Sequence, residues 1–420
     1  MRLFQRVLML VLIVMVAGNA WAEITLNDMI SLNGELRYRS EVNGKDFNAD
    51  TGLDEASTLR TTFGIKVQPD ENFFLSFKIR EARFLGTQGA NQPPTTSIYA
   101  TEAYFHLNNF IHDGVALQAG RYGLKYGRSR LIGAANYNVY GPRMYDAVGL
   151  FGSVGAGEWE VHYAKTASNS TPAESGERDL HLFVVHTSFA GGSIQPYFLG
   201  YYDARSLDPV GVPSDPTYVP GQQDADLWLT PALYAKKKFG ALKVELDAAG
   251  QFGKNGDRDL SAYLFATDIY YAFDHSMKPV IGAGLDYTSG TTAAEFAAGE
   301  DHTFRSPYMS RHTYRGYLDY FKDVDEGMMN ILVHFELRPI DKLRLNIDFH
   351  NFMYANEKAS AATPGDTYTL IGQEVDTRLR FPLHPRLNVD TAWCFLLPSE
   401  DYKPNGDLGH YFYLALTGTF

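Results

Sequence analysis

The residues best suited to chemistry are cations set at alternate positions. Arg37, Arg39, Arg60, Lys66, Lys78, Arg80, Arg121, Arg344, Arg378 and Arg380 each fall on the polar side of a segment whose other side is apolar. Lys125, Arg128, Arg130 and Arg143 occupy an intervening stretch, 125–144, that could fold inward as a constriction. Guanidinium forks match carboxylates, and a row of them facing acids sets a transverse field across a passage. The acids are present too. Asp146, Glu374 and Asp376 accompany the cations, and Glu35, Glu102, Glu245, Asp247 and Asp348 share the polar sides. A purely structural use competes with the chemical one, because enclosed Arg and Asp/Glu also pair to satisfy buried charge.

Other constellations are weaker. Tyr104, Tyr122, Tyr137, Tyr140, Tyr197 and Tyr201 could stack on sugar rings, although most aromatics in such a pattern belong to girdles at a membrane interface. Asp46, Asn48 and Asp50 place oxygens at alternate positions before Gly52. The glycine comes one place late for a calcium loop, and Ser57 stands where the closing Glu belongs, so a solvated loop is expected. Asp301, His302, His312 and Asp319 fit no metal-ligand spacing. Neither G-x-S-x-G nor H-E-x-x-H occurs, and the adjacent His350-Asn351 reads as part of a strand, so no enzyme is expected. No cofactor is expected either.

The elements that position these residues are strands. Leu59, Thr61, Phe63, Ile65 and Val67 alternate with Arg60, Thr62, Gly64, Lys66 and Gln68, and Leu343 to His350 repeats the pattern. About eighteen such segments are expected, near 30–41, 57–68, 72–85, 98–109, 114–124, 145–153, 157–167, 179–189, 193–205, 226–239, 241–253, 258–274, 277–290, 326–340, 343–356, 369–382, 386–397 and 408–420. The sixth, eighth and tenth alternate poorly. Tight turns such as Phe239-Gly240 join strict pairs, and long polar stretches such as 42–56, 125–144, 206–225 and 290–325 separate them. Alternation of short and long links is the layout of a transmembrane antiparallel β-barrel with short periplasmic turns and long outer loops. In lipid every backbone polar group must pair, which an open sheet does not achieve. The polar sides then face a lumen expected to be wet and charged, since eighteen strands enclose more space than side chains fill.

Composition and the N-terminus agree. Of 420 residues, 45% are apolar and 20% charged, with a single Cys394, which excludes a disordered chain, a disulfide scaffold and a Cys-based metal motif. The net charge of −12 argues against nucleic acid. Residues 1–22 read as a signal peptide. Arg2 and Arg6 precede an apolar run from Val7 to Gly18, and Ala20-Trp21-Ala22 supplies the cleavage site. The barrel is expected over 23–420. Phe412, Leu414, Leu416, Gly418 and Phe420 share one face of the last strand. A strand of this kind ending in Phe420 resembles the signal that bacterial outer-membrane barrels present to their assembly machinery.

One stretch carries a family resemblance. Leu117-Gln118-Ala119-Gly120-Arg121-Tyr122-Gly123-Leu124-Lys125-Tyr126-Gly127 leads to Arg130-Leu131-Ile132-Gly133, then to Asn136-Tyr137 and Arg143-Met144-Tyr145-Asp146-Ala147-Val148. Gly372-Gln373-Glu374-Val375-Asp376 and Asp407-Leu408-Gly409-His410 continue it near the C-terminus. The pattern resembles the alginate-export family of outer-membrane β-barrels. The resemblance implies an eighteen-stranded barrel in the outer membrane of a Gram-negative-type bacterium, with an Arg-lined lumen that passes a polar, anionic carbohydrate, an alginate- or uronate-like polymer or oligomer, by passive selective diffusion. A general small-solute porin or a plugged, adhesive barrel is the alternative. The implied partners are membrane lipid and lipopolysaccharide, the barrel assembly machinery and a carbohydrate solute.

Overall fold

The computed structural model describes residues 24–86, 97–134, 136–137, 140–168, 179–204, 225–321, 324–360 and 362–420. The signal-peptide assignment lies outside them. Eighteen long strands form among the described residues, each within a few residues of a segment expected from alternation. They are β1 Ile30–Gly44, β2 Asp54–Val67, β3 Phe73–Phe84, β4 Ser97–Leu107, β5 Val115–Tyr122 and β6 Tyr145–Val154. Then follow β7 Gly157–Ser168, β8 Asp179–Ser188, β9 Ile194–Asp203, β10 Asp226–Phe239, β11 Leu242–Asn255 and β12 Arg258–Ala272. The last six are β13 Val280–Thr288, β14 Met328–Leu337, β15 Arg344–Ala359, β16 Thr367–His384, β17 Leu387–Pro398 and β18 Gly409–Thr419. Each pairs antiparallel with the next, and β18 returns to β1 with Glu35 opposite Thr419. The sheet therefore closes, and no edge remains among the described strands.

The polarity of this closed sheet is inverted relative to a water-soluble protein. Leu36, Phe63, Phe77, Val161, Phe183, Phe252 and Trp393 are exposed on the outside, whereas Arg37, Arg60, Arg80, Asp247 and Glu374 are buried within. Such a surface is stable only against lipid. No helix among the described residues is long and apolar enough to cross a membrane, so the crossing elements are the strands.

The lumen is not wet throughout, contrary to expectation. On the side of β5 to β12 much of the inner face is apolar, up to the acidic positions Glu245 and Asp247 of β11 and Asp268 of β12. Leu180, Leu182 and Val184 of β8, Tyr145 of β6 and Trp228 and Tyr234 of β10 pack against Leu124, Tyr126, Leu131, Ile132 and Phe304 from two infolded loops. The three strands that alternate poorly are among these. β8 carries Phe183 and Val185 outward and Leu182 and Val184 inward, so both faces are apolar and period two vanishes. A second cluster, with Leu318 and Phe321 against Phe352, Ile371 and Leu396, fills space beside β15 to β18.

Candidate functional site

Among the described residues, two long connections enter the barrel. Loop A, residues 123–144, links β5 to β6. Loop B, residues 289–327, links β13 to β14 and holds two short helices, α1 Ala293–Ala297 and α2 Arg311–Tyr314. A Thr292/Glu295 capping box starts α1. The loops are zipped together: the Gly133 amide donates to the Tyr308 carbonyl (3.0 Å), the Ser310 amide to the Ser129 carbonyl (2.9 Å), and the Tyr314 hydroxyl to the Arg128 carbonyl. Burying Leu124, Leu131 and Ile132 of loop A contributes roughly 1.5–3 kcal/mol each at most.

Loop A spans the bore between an acidic wall and a basic wall. On the acidic side, Arg130 Nε lies 3.0 Å from Asp247 and Nη2 3.3 Å from Asp268, and Nη1 pairs with Asp286. Arg128 pairs with Asp268 and lies 3.5 Å from Glu245. The Arg130 guanidinium sits 3.9 Å over the Tyr314 ring. Burial works against the charge on Arg130, yet Asp286, Tyr314 and Asp247 outweigh it and hold the guanidinium above its ordinary range. Burial also raises the Tyr314 phenol. These two arginines lie inside the barrel, where they clamp the loop.

On the basic side, the loop tip meets Arg37, Arg39, Arg60 and Arg80. The Asn136 side-chain oxygen accepts from Arg60 Nη1 (2.9 Å) and Arg80 Nη1 (3.1 Å). Its backbone oxygen accepts from Arg37 Nη1 (3.2 Å) and Arg60 Nη1 (3.3 Å). Arg39 donates to the Tyr137 carbonyl (2.8 Å) and is sandwiched between the Tyr137 and Tyr413 rings, 3.8 and 4.2 Å away. Arg60 also pairs with Glu35 at 2.5 Å. Strand alternation places all four arginines here, because Arg37 and Arg60 face each other across β1 and β2.

Loop B has its own anchor. The Leu318 amide donates to Glu374 (2.8 Å) and the Tyr317 amide to Asp376 (3.0 Å). Gly316 makes this possible: its φ is +75°, and a Cβ there would lie 2.4 Å from the Glu374 carboxylate. Glu374 and Asp376 lie inside the barrel, and they bind backbone. His312 is enclosed between Tyr137 and Tyr317. Burial, reinforced by Arg39, Arg378 and Lys45, holds its imidazole well below the usual range, so it is neutral at pH 7.

Two cavities flank Asn136. One, of about 520 Å³, is lined by Arg37, Arg39, Arg60, Arg143, Arg311 and Arg378, with His312, Asp319 and Asp390. The other, of about 630 Å³, is lined by Glu35, Lys66, Lys78, Arg80 and Glu102. Asn136 borders both. Arg378 forks onto Asp390 and Tyr317. Lys78 pairs with Glu102 at 2.6 Å, Arg344 with Glu336, and Arg380 donates to Asn346 at 2.8 Å. Of the residues lining the arginine-rich cavity, Asp390 and Arg311 are not among the sequence candidates, and His312 is among them only as an ill-spaced metal ligand; Asp390 was legible as a polar position on the alternating strand 386–397.

Three expected path residues are placed elsewhere. Tyr122 and Tyr145 point inward, into the buried cluster, so their neighbours Arg121 and Asp146 point outward, beside exposed Val148. Arg121 and Asp146 pair at 2.6 Å on that outer face. Their polarity suggested the lumen, but the strand's period is set by the tyrosines. Lys125 is exposed between buried Leu124 and Tyr126 and joins neither wall. Tyr122, Tyr197 and Tyr201 face inward but are packed in the apolar cluster, and Tyr140 is exposed. His350 and Asn351 fall on opposite faces of β15: His350 is buried against Asn330, whereas Asn351 bonds Gln373. The Asp46 and Asn48 side chains accept from the loop's own amides, as Asx turns do. His302 bonds Ser261 and Glu300, apart from His312. Among the described residues no group of three or more His, Cys, Asp or Glu is placed to hold a metal ion.

The "Alginate export" family model matches residues 28–405. No curated protein matches the chain. Solved structures similar to it include Acinetobacter baumannii OccAB4 (TM-score 0.62, 10% identity, covering 94% of this chain and 100% of that one). Pseudomonas aeruginosa OccK11 (OpdR) gives 0.59 and 13%, over 93% and 96% of the two chains. Pseudomonas aeruginosa OpdK with vanillate gives 0.60 and 9%, over 93% and 98%. At these identities the likeness is one of fold. Nearly the whole length fits one family model, and the closed sheet, lipid-facing exterior and infolded loops fit the same architecture: the chain belongs to the alginate-export family and is an outer-membrane β-barrel channel.

Proposed function

We propose that the channel passes acidic carbohydrates of the uronate class, as short oligomers or single residues, by passive and selective diffusion. The observation that carries this reading is the cavity of about 520 Å³ in which six arginines meet two aspartates. Guanidinium forks bind carboxylates bidentately, and a row of moderate sites permits both entry and exit. The volumes suit a small solute, since sites for small ligands run about 300–1,000 Å³. A second reading is favoured by the same volumes: a small organic acid, the chemical class of the vanillate in the OpdK structure. The outer-face pair Arg121–Asp146 and the aromatic terminus Phe420 are proposed to meet lipopolysaccharide or lipid and the barrel assembly machinery, respectively.

Conductance in planar bilayers tests the reading. Acidic oligosaccharides should interrupt the current at concentrations where neutral oligosaccharides of equal length do not. Equal interruption by both, or none together with preference for cations, refutes it. Interruption by aromatic carboxylates alone selects the second reading.

A further inference from the structure

The arginines of the basic wall already hold a ligand, and it is part of the chain. Asn136 presents two oxygens, one side-chain and one backbone, to Arg37, Arg60 and Arg80, and accepts four hydrogen bonds of 2.9–3.3 Å from them. A carboxylate also offers two oxygens, and it adds a full negative charge and a bidentate fit to the charge-assisted bonds that the guanidiniums already make. Asn136 at the same time borders both cavities. We infer that Arg37, Arg60 and Arg80 form a carboxylate-binding site that Asn136 occupies at rest, and that a solute carboxylate displaces Asn136 and joins the cavities as it binds.

This inference rests on the reading of the basic wall as an anion path, and it adds a residue that sets the threshold for entry. The amide is the weaker acceptor bond for bond, but it is tethered. A tether of loop length supplies its ligand at an effective concentration on the order of millimolar. A carboxylated solute therefore competes at millimolar levels, whereas a neutral sugar, an acceptor no better than the amide and without the tether, does not. Permeation is thereby coupled to solute charge at one position.

The full-length channel in planar bilayers tests the site, with D-glucuronate as probe, D-glucose as neutral control, and reversal potentials in a KCl gradient. Asn136→Gly removes the side-chain acceptor. If the amide holds the site about nine-tenths of the time, the half-blocking glucuronate concentration falls about tenfold, conductance rises, and glucose behaves as with the parent. Asn136→Asp supplies a tethered carboxylate; conductance falls and glucuronate block weakens at least tenfold. A heat-dependent shift on electrophoresis confirms that each variant is folded. Parental block and conductance in both variants overturn the inference. If glucuronate blocks none of the three proteins, the reversal potential decides. A shift toward chloride in Asn136→Gly retains the anion site and removes the carbohydrate reading, whereas no shift in either variant removes the site.

Discussion

Arg130→Ala tests whether the acidic wall is a clamp or a selectivity surface. Arg130 is buried and meets Asp247 at 3.0 Å, Asp268 at 3.3 Å and Asp286. One unit-charge pair at 3.0 Å is worth about 5–6 kcal/mol at an effective dielectric near 20, before desolvation. Truncating one partner of a buried pair costs about 3–5 kcal/mol, mostly because the carboxylates left behind lose their counter-charge. The apolar contacts of Leu124, Leu131 and Ile132 still hold loop A with roughly 5–9 kcal/mol as an upper bound. The docked loop should thus remain the major state, with its ratio to the released state lowered by about 10²–10⁴. The expected record is a parental main level with added bursts of higher conductance. The reversal potential should move toward cations, because Asp247 and Asp286 become free. Asp286→Asn in the same chain should quieten the bursts in part. A current record indistinguishable from the parent, or a double variant as noisy as Arg130→Ala, refutes the clamp.

Arg121→Ala should leave conductance and selectivity unchanged, because its side chain meets Asp146 on the outer face; a shifted reversal potential would mean the strand is turned the other way. Arg378→Ala leaves Asp390 without its fork in the arginine-lined cavity and should shift the reversal potential toward cations, as read in a KCl gradient. Gly316→Ala combines a φ of +75° with a Cβ 2.4 Å from Glu374; loop B should undock, with faster amide exchange at Tyr317 and Leu318 but a barrel that still shifts on heating. Docking of loop B should also weaken in acid. His312 faces Tyr137 and Tyr317 and lies in the field of Arg39, Lys45 and Arg378. Burial and those cations lower its pKa when docked, so the released loop binds the extra proton. Docking is fully favoured above the unperturbed value near 6.5 and is lost progressively as pH falls below it. Conductance noise should rise from pH 7 to pH 5, and His312→Gln should remove that dependence.

The barrel was legible because a strand between lipid and water must alternate, and most of the eighteen segments do so. The sixth, eighth and tenth show where this rule has a limit. Period two reports two different media, and at β6, β8 and β10 the medium inside is another part of the chain. Leu182 faces Leu131 and Ile132 of loop A in place of water, so nothing in β8 itself marks its inner face. The signal lay instead in loop A, whose apolar Leu124, Tyr126, Leu131 and Ile132 are out of place in a solvated loop. Arg121 and Asp146 fail for a related reason. Two opposite charges on neighbouring strands satisfy each other at the outer face, so charge alone does not fix the side. Arg37, Arg39, Arg60 and Arg80 are buried inside the barrel, and their side was legible because regular alternation runs on both sides of them.

The mixture of acids and bases that the sequence assigns to one lumen is resolved by what each acid touches. Glu374 and Asp376 accept backbone amides of loop B. Glu245, Asp247, Asp268 and Asp286 are engaged by Arg128 and Arg130. These six carboxylates hold loops in place, and the loops in turn press Asn136 and Tyr137 toward the opposite wall. The acidic net charge of the chain therefore does not describe the surface the cavities present. Arg37, Arg39, Arg143, Arg311 and Arg378 line the first cavity with two aspartates beside them, so the local field there is cationic within a chain of net charge −12. The anion path proposed for this barrel needs such a division of labour, because free carboxylates within a Debye length of about 8 Å would cancel the attraction of the arginines.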